Sequence, residues 1–139
     1  MQLHKDKKVE LLSGVPLFSG CSKKELRQIA TIADEIDFRA GKTLTQQGAP
    51  GREFFVLLEG TVDIVRDGKK ISELGAGQFF GELALISNIP RTATVTATSP
   101  IRALVVVDRD FRRLLKDDVN VAVKVLGTMA ERMPPADHH

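Results

Sequence analysis

Arg91 and Glu82 are the residues whose types and positions in this chain could do chemistry. Thr92–Thr98 alternates strictly, with Ala93, Val95 and Ala97 on one face and threonines on the other. Counting back by two puts Arg91 on the inward, apolar face. A guanidinium there must reach solvent at the strand end or meet an anion, because an unpaired buried cation is costly. Upstream, Glu82–Ile86 favours helix, but only for one or two turns before Ser87-Asn88 and Pro90. A helix that short is not explained by its own propensity. What it supplies is a helix start at Gly81, where free backbone amides with no obstructing side chain form an anion site. Amides together with a planar five-donor guanidinium suit a phosphate. Glu82, beside such an anion, is repelled unless it accepts a hydrogen bond, and a ribose hydroxyl is the obvious donor. A phosphate next to a ribose is a nucleotide. Two plainer readings stay open: a strand-end arginine paired with Glu82 or a nearby aspartate, and a helix-start carboxylate favoured by the macrodipole.

The elements that must position these residues follow from spacing. Ser22-Lys-Lys-Glu25 is a capping box opening a helix with Leu26, Ile29, Ala30 and Ala33 at helical spacing. Residues 1–34 therefore read as a helical segment. From 35 to 107 the pattern changes to short strands every 8–12 residues or so, separated by Gly41, Gly48, Pro50-Gly51, Gly60 and the hairpin signal Asp67-Gly68. Phe54–Leu58 reads as a buried strand, Val62 and Ile64 alternate with Asp63, and Ile101–Val107 is the last strand. Asp108 is expected to cap a helix with Phe111, Leu114 and Leu115 inward and Arg112, Arg113 and Lys116 outward. A second helix runs from about Asp118 to Met133 and is stopped by Pro134-Pro135. Val119, Ala122, Val123, Leu126, Met129 and Met133 form its expected buried stripe. Four valines and Gly127 make its intrinsic helicity weak, as a movable element requires. The expected fold is mainly β: an antiparallel, jelly-roll-like β-roll of about eight strands, with N-terminal helices, a short internal helix and two C-terminal helices. The whole chain, 1–139, reads as a single domain.

Composition excludes much else. The 139 residues carry twenty basic and eighteen acidic side chains for a net charge of +2, too balanced to argue for a nucleic-acid or membrane surface. The single cysteine, Cys21, excludes an internal disulfide. The histidines are His4, His138 and His139, so triads, multi-histidine metal centres and a cupin-type metalloenzyme are hard to build. Gly75-Ala-Gly77 with Gly81 is one residue out of register for a dinucleotide-binding loop. Lys5, Lys7 and Lys8 read as a solvated helix face. No apolar run approaches a membrane span, and no signal peptide is seen. The expectation is a cytoplasmic binding module with no metal, no catalysis and no cofactor.

Phe80–Val95, running Phe-Gly-Glu-Leu-Ala-Leu-Ile-Ser-Asn-Ile-Pro-Arg-Thr-Ala-Thr-Val, closely resembles the phosphate-binding cassette of cyclic nucleotide-binding domains. Those domains occur in kinase regulatory subunits, gated channels and the bacterial catabolite activator protein. The resemblance extends to Val15-Pro-Leu-Phe18, Leu58-Glu-Gly60 and the Phe111/Leu114/Leu115 helix, and so covers nearly the whole chain. It implies that Arg91 binds the cyclic phosphate, that Glu82 binds the ribose 2′-hydroxyl, and that the amides of Gly81, Leu83 and Ala93 complete the cradle, with Ala84 also lining the site. Thr92 stands where a hydroxyl is linked to guanine recognition but also occurs in proteins that respond to cAMP. The implied function is binding of a 3′,5′-cyclic nucleotide, cAMP ahead of cGMP, as a regulatory sensor whose last helices close over the pocket. Leu126, Met129 and Met133 are the candidate base-capping residues, since no aromatic residue lies beyond Phe111. The same helix is a candidate homodimer seam, and direct contact with nucleic acid is not expected. The alternative is a roll that binds no ligand and serves as a protein-interaction module; intact Glu82 and Arg91 argue against it.

Overall fold

A computed structural model describes residues 4–131. Helix α1 (Lys5–Ser13), a 3-10 turn (Pro16–Phe18) and helix α2 (Lys23–Ala30) lead into eight strands: β1 (Ala33–Phe38), β2 (Thr43–Thr45), β3 (Glu53–Glu59), β4 (Val62–Arg66), β5 (Lys69–Leu74), β6 (Phe79–Phe80), β7 (Thr94–Ala97) and β8 (Ile101–Val107). A second 3-10 turn (Glu82–Leu85) sits between β6 and β7, and helices α3 (Asp108–Asp117) and α4 (Val119–Glu131) follow. All pairing is antiparallel, in two four-stranded sheets ordered β1-β8-β3-β6 and β2-β7-β4-β5. The expected mainly-β roll of eight strands with flanking helices is what the chain forms.

The two central strands of the first sheet, β3 and β8, are buried on both sides, which explains why they are apolar without alternation. Phe54, Val56, Leu104 and Val106 face the helices, where they join Leu12, Leu17, Phe18, Ile29, Leu85 and Phe111. Phe55, Leu57, Ala103 and Val105 face the second sheet and pack with Val62, Val95 and Ala97. Phe18 links the layers, its ring 6.0 Å from Phe54 edge-on and 5.8 Å from Phe111. The second sheet keeps one face on this core and the other in solvent, hence the strict alternation of β7.

Two boundaries and one buried face differ from the sequence expectation. Ala33 is not the last apolar residue of a helix: α2 ends at Ala30, and Ala33 opens β1 opposite Val106. Asp108 is the first residue of α3 and not its cap, which is Val107; the Asp108 carboxylate accepts from the Arg109 amide at 2.6 Å. The stripe on α4 is rotated. Val121, Val125 and Thr128 are the buried positions, while Val119, Val123 and Leu126 are exposed at 67%, 58% and 68%. Valines at every second position mark two faces of a helix at once, so periodicity could not choose between them. Packing chooses: at Gly20 a Cβ would stand 3.1 Å from the Thr128 hydroxyl, so this close approach seats the Thr128 face against the 3-10 turn at Pro16–Phe18.

The capping box at α2 forms in full, with Ser22 Oγ accepting from the Glu25 amide at 3.2 Å and Glu25 Oε1 from the Ser22 amide at 2.7 Å. Lys124 of α4 stands 3.6 Å from the same carboxylate, so the box also ties the two ends of the helical layer. The Ser22 amide, with help from Lys124, holds the Glu25 carboxyl below its ordinary value of 4.5. A group with a lowered folded value contributes stability above its ordinary value and loses it as pH falls through the folded one. Acid denaturation curves should therefore show wild type losing more stability than Glu25→Gln below about pH 4.5. At neutral pH Ser22→Ala should lower the unfolding free energy by about 0.5–2 kcal/mol.

Candidate functional site

Residues of the second sheet and of the segment from Phe80 to Ala93 stand around one opening. The result is an open pocket of about 280 Å³. Its floor is Phe80, whose ring stacks on Phe55 at 4.8 Å. One wall consists of inward residues of the second sheet, Thr45, Ile64 and Val95. The other carries every cassette residue singled out from sequence: Gly81, Glu82, Leu83, Ala84, Arg91, Thr92 and Ala93.

Arg91 lies on the inward side, as its parity with Ala93 and Val95 predicted, and its side chain is only 9% exposed. Its backbone is stitched to the β2–β3 loop, with its amide donating to the Ala49 carbonyl and its carbonyl accepting from Gly48, both at 2.8 Å. One terminal nitrogen donates to the Glu53 carbonyl at 2.7 Å and stands 3.7 Å from the Glu53 carboxylate. Burial pulls the guanidinium below its ordinary value, and Glu53 offsets this in part. The cation persists, because arginine does not deprotonate in proteins.

Two glycines make room for it. A Cβ at Gly51 would stand 2.9 Å from both Cδ and Nε of Arg91. At Gly81, φ is +86° and a Cβ would stand 2.7 Å from the Arg91 terminal nitrogen and 3.0 Å from the Glu53 carbonyl. Gly81 is needed for its left-handed backbone and for the close approach alike.

The helix expected after Gly81 is a single 3-10 turn, Glu82–Leu85. The amides of Glu82 and Leu83, first in that turn, have no acceptor within it. The Ala84 amide already donates to the Gly81 carbonyl at 3.1 Å, so its contribution to the pocket is a buried methyl wall. Among the described residues the Glu82 carboxylate makes no ion pair, so the plain reading of an Arg91–Glu82 pair is not what forms; Glu53 is the partner of Arg91. The turn faces two ways. Leu83 is 47% exposed on the pocket side, and Leu85 is fully buried against Phe18 and Phe111. Asn88, just beyond, accepts from Arg112 of α3 at 3.2 Å.

The candidate base-capping residues are elsewhere. Leu126 is exposed on α4, Met129 packs on the helical core, and no α4 residue among those described lines the pocket. Met133 lies outside the described residues. Conversely, Thr45, Ile64, Arg66, Ile71 and Ser72 line the pocket without having been singled out. A β-bulge between Ile64 and Val65 leaves Ile71 unpaired beside Ser72, presenting both to the opening.

Residues 35–118 match the sequence profile of the Cyclic nucleotide-binding domain. The chain belongs to the cyclic nucleotide-binding domain family. The profile takes in seven of the eight strands whole, part of β1, and all of the cassette and α3. Among curated relatives, a cyclic nucleotide-gated potassium channel of Rhizobium etli is 34% identical over 130 residues, covering 92% of this chain and 36% of the channel. A cGMP-dependent protein kinase of Toxoplasma gondii is 38% identical over 99 residues, 70% of this chain and 10% of the kinase. The chain thus spans a minor part of either protein. Among solved structures, the N-terminal domain of a transcriptional regulator from Streptomyces coelicolor A3(2) superposes with a TM-score of 0.78 at 30% identity, covering 88% of this chain and 91% of that one. A cyclic nucleotide-binding-like protein from Brucella abortus gives 0.73 at 27% identity, covering 80% and 99%. Members of this family are regulatory domains. Among the described residues no cluster of side chains could hold a metal ion, and no helix is long and apolar enough to cross a membrane.

Proposed function

We propose that this cyclic nucleotide-binding domain takes a 3′,5′-cyclic nucleotide in the pocket and acts as a regulatory sensor. The observation that carries the reading is Arg91: a nearly buried cation, held from behind by Glu53, facing a pocket whose other wall offers free amides. A cyclic phosphate supplies the charge that this desolvated guanidinium lacks, through short charge-assisted hydrogen bonds. The amides of Glu82 and Leu83, with Gly81 and Ala93 beside them, complete the cradle. The unpaired Glu82 carboxylate accepts from the ribose 2′-hydroxyl.

The signal leaves through the turn and α3. A ligand drawing the Glu82–Leu85 turn toward itself pulls on Leu85, and Leu85 packs with Phe111. Arg112–Asn88 joins α3 to the segment just beyond the turn. The exposed face of α4, Val119, Val123 and Leu126, matches in character the exposed apolar rim of the pocket, where Ile71, Leu83 and Ile89 are 49%, 47% and 52% exposed. Closure of α4 over the ligand would bury both surfaces; a homodimer seam is the other use of that face. Ligand shifts such an equilibrium only by its differential affinity for the two states. The domain would pass the change on through α3 and α4.

Thermal unfolding with cAMP and cGMP tests the reading. At a hundredfold excess over Kd, a ligand stabilises by about 2.7 kcal/mol, which for a domain of this size is a rise in Tm of several degrees. No shift with either nucleotide, and no heat on calorimetric titration of the folded protein, would remove the sensor assignment in favour of an interaction module.

A further inference from the structure

We infer that Arg66 reads the base in this pocket and selects guanine over adenine; the inference rests on the cyclic-nucleotide reading above. Arg66 closes β4 two residues after the inward Ile64, and it lines the pocket. Its Nε donates to the Thr92 carbonyl at 2.9 Å, which fixes the plane of the guanidinium and leaves its terminal amino groups free to donate. Among the described residues it has no carboxylate partner, because the acids around the hairpin are engaged elsewhere. Asp63 and Glu73 both face Lys70, at 3.1 and 3.0 Å. Asp67 is paired reciprocally with Gln47, its carboxylate accepting at 2.8 Å and its amide donating at 2.9 Å. These bonds tie the β4–β5 hairpin to the loop that holds Arg91, so Arg66 is displayed on a fixed support.

With phosphate and ribose at Arg91, Gly81 and Glu82, the wall left for the base is Ile64, Arg66, Ile71 and Ser72. The isoleucines suit the ring faces, and Arg66 suits an edge. Guanine presents two adjacent acceptors, N7 and O6, and arginine meets them with two parallel donors; adenine replaces O6 with an amino donor that faces the guanidinium donor to donor. This order, cGMP ahead of cAMP, is the reverse of the sequence expectation, which weighed Thr92 without Arg66.

Calorimetric titration of wild type and Arg66→Gln with cGMP, cAMP and cIMP decides it, with thermal melts confirming that the exposed substitution leaves the fold intact. Wild type should bind cGMP on the order of 10- to 100-fold more tightly than cAMP. cIMP, which keeps N7 and O6, should follow cGMP. Arg66→Gln should remove or invert the preference, weakening cGMP and cIMP while cAMP holds or tightens, because a glutamine amide donates to N7 and accepts from the adenine amino group. Equal losses for all three would place Arg66 on the phosphate or in the support of Thr92, and would overturn the inference, as would a wild-type preference for cAMP. If no nucleotide binds wild type and Arg91→Ala changes nothing, the pocket reading itself has failed; nucleotide binding that depends on Arg91 but not on Arg66 sinks only the base assignment.

Discussion

Arg91→Ala should weaken cyclic nucleotide binding by roughly 30- to 1,000-fold while leaving the unliganded fold nearly as stable as wild type. The binding loss follows from removing the charged donor set opposite a desolvated phosphate, worth about 2–4 kcal/mol. The small stability change follows from what Arg91 lacks before ligand arrives. Its side chain is 9% exposed, its carboxylate neighbour stands at 3.7 Å and is itself 44% exposed, and burial already works against its charge. Removing a cation in that position relieves desolvation as well as deleting contacts, so the net effect on unfolding should be under about 1 kcal/mol. Gly51→Ala is the companion test. Its methyl would meet Arg91 Cδ and Nε at 2.9 Å and must displace the guanidinium without removing it. Affinity should then fall by an intermediate amount, about tenfold. Calorimetric titration and thermal melts of the three proteins supply both readouts. An Arg91→Ala affinity within threefold of wild type would take the phosphate off this residue.

How much of this was legible in the sequence differs by element for physical reasons. β7 was legible because one face is buried and the other wet, so period two is written into Ala93, Val95 and Ala97, and the same count placed Arg91 inward. That count applied to Val62 and Ile64 would have reached Arg66 as well; the signal was present but masked by the Asp67-Gly68 turn, which reads as exposed hairpin. Glu53 as the partner of Arg91 was not legible. The contact joins residues 38 positions apart and goes chiefly to a backbone carbonyl, which carries no side-chain signature. The face of α4 was illegible for a different reason. Val119, Val121, Val123 and Val125 satisfy both faces locally, and only distant packing, against the 3-10 turn at Pro16–Phe18 and the Gly20 beside it, selects the one that is buried. The capping box, in contrast, was complete within four residues and formed as written.

The 3-10 turn at Glu82–Leu85 makes the division between ligand and scaffold experimentally separable. Leu85→Ala should cost about 2–5 kcal/mol of unfolding free energy, the largest stability effect expected of any cassette residue. Leu85 is 0% exposed and sits in the cluster that holds Phe18, Phe54 and Phe111. Truncation leaves a cavity where the turn, the first sheet and α3 meet, three elements that cannot all collapse toward it while Phe18 braces Phe54 and Phe111. Leu83→Ala, two residues earlier on the same turn, should change stability by no more than about 0.5 kcal/mol, because that side chain is 47% exposed at the pocket rim. The two substitutions should then exchange places in binding: Leu83→Ala loses apolar contact with ligand, whereas Leu85→Ala, where enough of it folds, keeps the cradle but loosens its hold on α3. Urea denaturation followed by circular dichroism, read beside titration of the same variants, tests both halves. A Leu85→Ala protein within 1 kcal/mol of wild type would show that the turn is not anchored in the helical core, and a ligand could then move it without moving α3.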